Sequence, residues 1–346
     1  MTAAVAAPAL QSGLTGGRLF TYLARALPGF DQSDAIGVQQ FAGGQSNPTF
    51  LLETPARRYV LRKKPQGHLL PSAHAIEREY RLMRALAGHV PVPEMLLLCE
   101  DESIIGEPFY IMEHVEGRMF TDARMLDAPL AERRALSLEL VDVLARLHRV
   151  DHAAAGLDDF GRSGGYIARQ ISRLSKQYAS SRVEENADMD RIIAWLDENA
   201  PAQDEVSIVH GDYRSYNVLY RNDAPTVAAV LDWELATIGH PLADLAFCCL
   251  PYHMPADDPR GFHGQEPATL GAPSEAEMLE RYCLATGRSD LPNWRYFLVF
   301  SLFRSAAIRA SVYKRGFDGT AAASNALEAG RRYRDSAAAA ANLIAA

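Results

Sequence analysis

Three side chains that could bind a metal ion or accept a proton lie in one short stretch, IVHGDYRSYNVLYRNDAPTVAAVLDWE, residues 208–234. Asp212, Asn217 and Asp232 stand at or just outside the ends of two predicted strands, NVLY and VAAVLD, which the turn RNDAPT joins. A hairpin whose tip lies between residues 224 and 225 places Asn217 opposite Asp232, at a separation of about 5 Å. The pattern therefore predicts that an amide oxygen and a carboxylate meet at the open end of a hairpin.

That pair of oxygen ligands suits Mg²⁺, which proteins commonly hold through a few groups together with substrate phosphates. Asp212 precedes Asn217 by five residues and would face whatever the metal binds, where a carboxylate can accept a proton from an attacking hydroxyl. Polar capping of strand ends is the simpler explanation for any one of these residues. The three together, with His210 and Arg214 at their offsets, favour a catalytic site.

Length and composition exclude several classes of protein. A chain of 346 residues, 48% apolar and 23% charged, is typical of a soluble globular protein with two domains or two lobes. A net charge of −8 without basic clusters argues against nucleic acid as a partner. The sequence contains no run of about 18 apolar residues that could span a membrane and no basic region typical of a signal peptide. We therefore expect a cytoplasmic protein whose four cysteines are reduced.

Periodicity predicts a small sheet followed by many helices. Five β-type runs occur in the first third of the chain: GVQQFAG, PTFLLET, RYVLRKK, MLLLCEDES and PFYIMEHV. A helical pattern precedes them at residues 18–26, and another separates the third run from the fourth at residues 73–87. Later helices are predicted at residues 131–149, 166–178, 188–199, 275–286 and 294–314. The alanine-rich end, DSAAAAANLIAA, is typical of a frayed helix terminus.

Several motifs carry a resemblance to a known family. HGDYRSYN resembles the catalytic loop of the kinase fold, His-x-Asp-x-x-x-x-Asn, with Gly211 where protein kinases have arginine. Together with LDWE, it is similar to the aminoglycoside phosphotransferase family and its choline kinase relatives. YVLRKKP, LLPSAHAIEREYRLM and VLDWELATIGHPLADLAF resemble, more narrowly, the kinase-like domain associated with some acyl-CoA dehydrogenases. The resemblance extends over about residues 36–315.

The resemblance implies an α+β, two-lobed, protein-kinase-like fold that uses ATP and Mg²⁺. Residues 1–35 would form a helical extension, residues 36–115 the N-lobe with its ATP-binding antiparallel sheet, and residues 116–346 a mainly helical C-lobe. The C-lobe would hold the catalytic loop, the metal site and the acceptor pocket.

The same resemblance implies roles for the residues of the catalytic loop. Asp212 would be the catalytic base, and Asn217 and Asp232 would bind Mg²⁺. Arg214 would neutralise charge on the transferring phosphoryl group, although a solvated surface arginine is the alternative. His210 would support the loop, and Asp244 in HPLADLAF would clamp it.

On the ATP side, FAGGQSNPTF lies where the fold has its phosphate-covering loop, and an ordinary hairpin turn is the alternative. The candidate phosphate-binding residues there are Gly43, Gly44, Gln45, Ser46 and Asn47.

The third strand should supply a basic residue paired with a glutamate of the next helix. Because side chains alternate along a strand, only one of two neighbouring basic residues can point inward. The resemblance favours Arg62, with Lys63 as the alternative.

The expected partner of that basic residue is Glu79, since Glu77 lies on a different face of the helix.

YIMEHVEG is typical of the hinge between the two lobes, with a plain edge strand as the alternative. At such a hinge the backbone carbonyl of Glu113 and the backbone amide of Val115 would bind adenine.

The acceptor is expected to be an anionic or acyl small molecule. Residues 251–346 contain ten acidic and eleven basic side chains, so the negative charge lies in the earlier part of the chain. Arg304 and Arg315 share a helix face and could bind a carboxylate or a CoA phosphate, and the alternative is that they pair with acidic neighbours or point to water. Phe297, Phe300 and Val312 would suit an acyl chain, with an ordinary core face as the alternative. Together with the association of similar domains with acyl-CoA dehydrogenases, which the resemblance implies, these features make a hydroxyacyl-CoA or a hydroxy acid the preferred acceptor. The same resemblance implies a functional link to an acyl-CoA dehydrogenase.

Three other functions remain open at this point. A catalytically silent nucleotide-binding regulator would explain arginine where lysine is usual, but the intact set of Asp212, Asn217 and Asp232 argues against it. An aminoglycoside kinase is the second alternative. A protein kinase is the third, although LDWE replaces Asp-Phe-Gly and no Ala-Pro-Glu segment follows.

Overall fold

The computed structural model describes residues 14, 17–31, 33, 36–41, 47–65, 75–202, 204–321 and 323–345. Their contacts divide the chain into two compact units. The first comprises the residues up to Glu116 together with Ala228–Glu234, and the second comprises Gly117–Val227 and Leu235–Ala346.

The first unit is built on a five-stranded antiparallel sheet with the strand order β1-β2-β3-β5-β4. Its strands are β1 (Gly37–Gln40), β2 (Thr49–Glu53), β3 (Arg58–Lys63), β4 (Met95–Cys99) and β5 (Phe109–Glu113), and its helices are α1 (Gly17–Ala26) and α2 (Ile76–Leu86). Each lies where hydrophobic periodicity predicts it. Together with the helical second unit, this sheet confirms the expected α+β, kinase-like fold.

Helix α1 shares the hydrophobic core of the sheet. Its apolar stripe includes Leu19 and Leu23, and it packs in one buried cluster with Phe50 and Leu52 of β2 and Phe109 of β5. Burial of this stripe stabilises the unit because an amphipathic helix gains most of its stability from tertiary packing. The segment expected as an extension therefore belongs, at least from Gly17, to the first unit.

The segment Ala228–Glu234 also groups with the first unit, whereas we expected all residues after 115 to lie in the larger domain. Two contacts account for the difference. The Val230 amide donates to the Pro91 carbonyl at 2.9 Å, and Arg62 pairs with the Asp232 carboxylate at 3.2 Å. Asp232, the expected metal ligand, is therefore a residue of the first unit.

The second unit is mainly helical. Its helices are α3 (Leu130–His148), α4 (Tyr166–Ser181), α5 (Ala187–Glu198), α6 (Pro241–Cys248), α7 (Glu275–Thr286), α8 (Trp294–Phe317), α9 (Ala326–Arg331) and α10 (Tyr333–Ala345). Strands β6 (Ser207–Val209) and β9 (Thr237–Gly239) pair antiparallel. Strand β7 (Val218–Tyr220) forms a hairpin with β8 (Val227–Val230), and from Ala228 the residues of β8 group with the first unit. Among the residues described, no helix combines the length and apolar character needed to cross a membrane.

Helix α10 corrects the expectation of a frayed C-terminal end. It packs on α8 and α5, and its face with Ala337, Ala340 and Ala341 is buried. Alanine has a high helix propensity, and its small side chain lets two helices approach closely. The low-complexity composition therefore indicates tight helix packing and not fraying.

Candidate active site

The catalytic loop begins directly after β6 with a turn that requires glycine. Gly211 has a φ of +83°, and a Cβ atom there would lie 2.7 Å from the Leu235 carbonyl oxygen. Both the left-handed backbone and the close contact exclude larger residues. Gly211 thus directs the chain into the turn that presents Asp212.

Asp212, Arg214 and Asn217 form one hydrogen-bonded group in the second unit. The Asp212 Oδ2 atom accepts from Arg214 Nη2 at 3.1 Å and from Asn217 Nδ2 at 2.9 Å. The same Nδ2 atom donates to the Asp212 carbonyl at 2.8 Å, so the Asn217 Oδ1 atom takes no part in these bonds. The expected base is therefore held by two donors, and the amide directs an oxygen away from it.

Asp244 holds the backbone of the loop that precedes Asp212, as the family resemblance predicts. The buried Asp244 carboxylate accepts from the His210 amide at 2.6 Å and from the Gly211 amide at 3.0 Å. Burial raises the pKa of Asp244, but the hydrogen bond with His148, the charges of both histidines and the His210 amide bond outweigh it and lower that pKa below its usual value. An ionised carboxylate in this place fixes the backbone before Asp212.

The acceptor face that we expected on α8 around Arg304 is not present in the structure. Its guanidinium donates to the Gly211 carbonyl and lies 4.9 Å from the centre of the Phe247 ring, and the residue is 6% exposed. Arg315, near the C-terminal end of α8, is exposed. Phe297 and Phe300 are each 1% exposed and belong to the core. Arg304 therefore supports the catalytic loop, and this helix face does not offer the expected acyl site.

In the first unit, Arg62 and not Lys63 pairs with Glu79. The Arg62 Nε atom lies 3.1 Å from Glu79 Oε2, and an Nη atom of Arg62 lies 3.2 Å from Asp232 and 3.8 Å from Glu234. Lys63 points to the opposite side of β3 and binds Glu107 at 2.7 Å. The strand alternation thus selects Arg62, and its role towards ATP phosphates stays a prediction.

Glu79 has two further partners that the sequence did not signal. Asn47 Nδ2 donates to Glu79 Oε1 at 2.8 Å, and the Tyr110 hydroxyl donates to Glu79 Oε2 at 3.0 Å. Burial raises the pKa of Glu79 to about 7 against the lowering effect of Arg62 and Tyr110. Asn47 is fully buried and holds Glu79, and its expected contact with phosphate stays a prediction.

The other four residues of the expected phosphate-covering loop lie outside the described part of the chain. These are Gly43, Gly44, Gln45 and Ser46. The alternative glutamate of α2, Glu77, lies 3.8 Å from Lys64, away from Arg62.

Glu113 ends β5, and Val115 follows it just before the first unit ends at Glu116. The Glu113 amide donates to the Glu94 carbonyl at 2.9 Å, and the Glu113 carboxylate accepts from the Glu94 amide at 2.9 Å. The side chain and the amide of Glu113 are thereby both engaged with Glu94, which directly precedes β4. Adenine binding by this segment stays a prediction.

The hairpin register differs from the expected one. The Arg221 amide donates to the Thr226 carbonyl at 2.9 Å, which centres the turn between residues 223 and 224, one position earlier than expected. Asn217 lies in a 3₁₀ turn (Ser215–Asn217) before β7, and Asp232 follows β8 with a φ of +63°. The backbone turns at Asn217 and Asp232, and not pairing across the hairpin, therefore set the direction of both side chains.

The candidate metal ligands suit Mg²⁺ in type. Asn217 has the Oδ1 atom described above, and the Asp232 side chain is 40% exposed, with its carboxylate bonded to Arg62. A positive φ on a non-glycine residue costs about 1–3 kcal/mol, and such strain concentrates at functional sites. No cluster of three or more His, Cys, Asp or Glu ligands occurs among the described residues. Each residue thus offers an oxygen of the type that Mg²⁺ accepts, and their joint binding of the ion stays a prediction.

A pocket in the second unit adjoins the catalytic loop. It is open to solvent, and its total space, open solvent included, is about 750 Å³. Its apolar wall includes Leu140, Phe247, Leu250, Met254, Phe262 and Met278, and its cationic groups are Arg214, Arg260 and Arg309. Because Arg214 also bonds Asp212, the pocket lies next to the expected base. Sequence periodicity did not signal Arg260 or Arg309, which come from a loop and from α8.

The fold and the Asp212 loop define a phosphotransferase of the kinase-like class. The chain belongs to the phosphotransferase enzyme family, whose profile matches residues 37–297.

Relatives of known sequence bear the names of acyl-CoA dehydrogenases. The chain is 44% identical over 310 residues to acyl-CoA dehydrogenase family member 10 of Mus musculus, covering 89% of this chain and 29% of that protein. It is 43% identical over 320 residues to acyl-CoA dehydrogenase family member 11 of Gallus gallus, covering 90% of this chain and 41% of that protein. The chain thus spans less than half the length of these relatives, which carry the same kinase-like domain.

Solved structures agree with this assignment. A Ralstonia eutropha protein whose description assigns it to the aminoglycoside phosphotransferases is 44% identical, has a TM-score of 0.85 and matches 94% of this chain and 97% of its own. An aminoglycoside phosphotransferase in a ternary complex with AMP-PNP and hygromycin B has a TM-score of 0.60 at 19% identity, with 90% and 95% coverage. The second likeness shows the fold alone.

Proposed function

We propose that the protein transfers the γ-phosphoryl group of Mg-bound ATP to a hydroxyl of an acyl compound, either a hydroxyacyl-CoA or a hydroxy acid. The observation that carries this proposal is the apolar pocket with three arginines next to Asp212. Hydrocarbon walls suit an acyl chain, and cationic groups suit an acceptor with negative charge.

In the proposed reaction the acceptor hydroxyl loses its proton to the Asp212 carboxylate as its oxygen attacks the γ-phosphorus. The bond between that phosphorus and the bridging oxygen of ATP breaks, and ADP leaves with the electron pair. Arg214 and Asn217 orient Asp212 through the bonds at 3.1 and 2.9 Å. Arg214 also supplies positive charge for the transferring group.

Asn217 and Asp232 would hold Mg²⁺, which neutralises phosphate charge when bound. Arg62 would bind phosphate oxygens, positioned by Glu79 and, through that carboxylate, by Asn47 and Tyr110. Glu113 and Val115 would offer backbone groups to adenine.

The arginines make an aminoglycoside a poor acceptor. Aminoglycosides are polycations, and Arg214, Arg260 and Arg309 would repel them from this pocket. The names of the curated relatives support a functional link between this activity and an acyl-CoA dehydrogenase, which we include in the proposal.

An acceptor panel tests the proposal. We expect ³¹P-NMR of the protein with Mg·ATP to show a new phosphate ester with hydroxyacyl-CoAs or hydroxy acids, and none with kanamycin or amino alcohols. Turnover of kanamycin alone would contradict the acceptor class. Nucleotide binding without an ester from any acceptor would favour a nucleotide-dependent regulator.

A further inference from the structure

Three arginines from separate parts of the second unit meet in the pocket next to Asp212. Arg214 comes from the catalytic loop, Arg260 from the loop between Met254 and Phe262, and Arg309 from α8. Like charges that converge in a pocket with apolar walls repel each other unless anions compensate them. The charge balance of this cluster therefore indicates what the pocket can bind.

The protein's own carboxylates compensate the cluster only in part. Arg214 bonds Asp212, and Arg309 bonds the buried Asp258. The Arg260 side chain forms no hydrogen bond or ion pair within the part of the chain that the structure describes, although its backbone amide donates to Asp258 at 3.0 Å. Three cations thus share two carboxylates, and a net positive charge remains in the pocket.

Donor atoms of the cluster are also left without acceptors. The Nε atoms of Arg214 and Arg309 are buried and have no hydrogen-bond partner in the described structure. Arg309 is only 4% exposed, so little water reaches it. Buried donors are nearly always satisfied in folded proteins, and an unsatisfied donor next to a pocket is consistent with a bound ion or water molecule in the pocket.

The excess of positive charge also affects the pKa of Arg260. Burial, followed by the charges of Arg309 and Arg214, lowers the pKa of Arg260 to about 10. The repulsion among the arginines would be relieved by a bound anion.

We infer that Arg214, Arg260 and Arg309 form an oxyanion-binding subsite that holds a carboxylate or phosphate group of a ligand whose hydrocarbon part lies along the apolar wall. The inference rests on the proposed function for the identity of that ligand. The oxyanion has two sources, the acceptor's own carboxylate or the phosphate group that it receives. The subsite favours ligands in which the oxyanion lies few bonds from the reacting hydroxyl, because Arg214 contacts Asp212 directly.

Calorimetric titration without ATP tests the subsite. The probes are inorganic phosphate, a medium-chain hydroxy fatty acid and the methyl ester of that acid. The variants are Arg260→Gln, Arg260→Lys and, as a matched control on the exposed end of α8, Arg315→Gln. Circular dichroism checks that each variant is folded.

We expect Arg260→Gln to weaken binding of an oxyanion probe about 10-fold or more, which is the loss typical of one charge-assisted hydrogen bond. Arg260→Lys should recover part of the lost affinity. Arg315→Gln should bind the oxyanion probes as tightly as the wild type does, and Arg260→Gln should not change the affinity for the methyl ester. A loss for the hydroxy acid identifies the acceptor carboxylate as the source, and a loss for phosphate alone identifies the product.

Two results would overturn the inference: a wild-type protein that binds neither phosphate nor the acid more tightly than the ester, or an Arg260→Gln variant that binds both probes as the wild type does. Because ATP is absent, oxyanion binding in a protein without phosphotransferase activity would reject the proposed function and leave the subsite standing.

Discussion

Arg62 and Lys63 are neighbours in the sequence, yet the structure gives them different partners. Arg62 lies near Glu79, Asp232 and Glu234, whereas Lys63 pairs with Glu107 on the other face of β3. A lysine has one charged nitrogen, while the planar guanidinium can contact several carboxylates together. This geometry explains how arginine can stand where the family resemblance leads one to expect lysine.

Replacing Arg62 tests its proposed role towards nucleotide. We expect Arg62→Ala to weaken Mg·ATP binding at least 10-fold, because a phosphate contact is lost and Glu79 loses its cation. Fluorescence titration with a labelled ATP analogue measures the affinity.

Lys63→Met is the matched control for this prediction. It should lower thermal stability, since Glu107 loses its partner, but leave the ATP affinity within about 2-fold of the wild type. Equal weakening by both variants would show that Arg62 acts through folding and not through phosphate contact.

The sequence was sufficient to predict that Asp212, Arg214 and Asn217 lie together, because they fall within six positions and one turn brings them into contact. Their chemical roles stay predictions. Asn47 and Tyr110 could not be assigned to Glu79, because that contact joins residues about 30 positions apart through the sheet. Arg260 likewise gains its significance from Arg214 and Arg309, which only tertiary packing brings near it.

At the scale of elements, amphipathic patterns predicted the long helices and the five-stranded sheet, and short or uniformly apolar elements were missed. Strand β9 has three residues, and α6 is buried on every side, so neither has a two-sided pattern to detect. The alanine-rich α10 was misjudged because composition alone does not distinguish an exposed end from close packing.

Substitutions on α10 test this packing. We expect Ala340→Leu, at a position with no exposed surface, to lower the free energy of unfolding by about 1–3 kcal/mol, because α8 and α5 leave no space for the larger side chain. Chemical denaturation provides the measurement.

The control for α10 is Ala338→Leu, two residues earlier and exposed. Its free energy of unfolding should stay within about 0.5 kcal/mol of the wild type. Similar losses at both positions would mean that α10 is not held by a buried alanine face.

At the scale of the whole molecule, the chain belongs to a phosphotransferase family and corresponds to 29–41% of relatives named as acyl-CoA dehydrogenases. The net charge of −8 contrasts with the cationic pocket of the second unit. A local excess of positive charge within an acidic protein is a feature of a specific anion site and not of a general polyanion surface.

We propose that Asp212 serves as the base of a phosphoryl transfer to a hydroxyl. This role is tested by ³¹P-NMR of phosphate-ester formation from Mg·ATP by the wild type and by Asp212→Asn, with ATP affinity measured on both. Asparagine keeps the size of the side chain but cannot accept the proton. We expect turnover to fall by about 10²–10⁴-fold with ATP affinity nearly unchanged, because general-base loss acts on the transition state. Ester formation by Asp212→Asn at the wild-type rate would show that Asp212 is not the base.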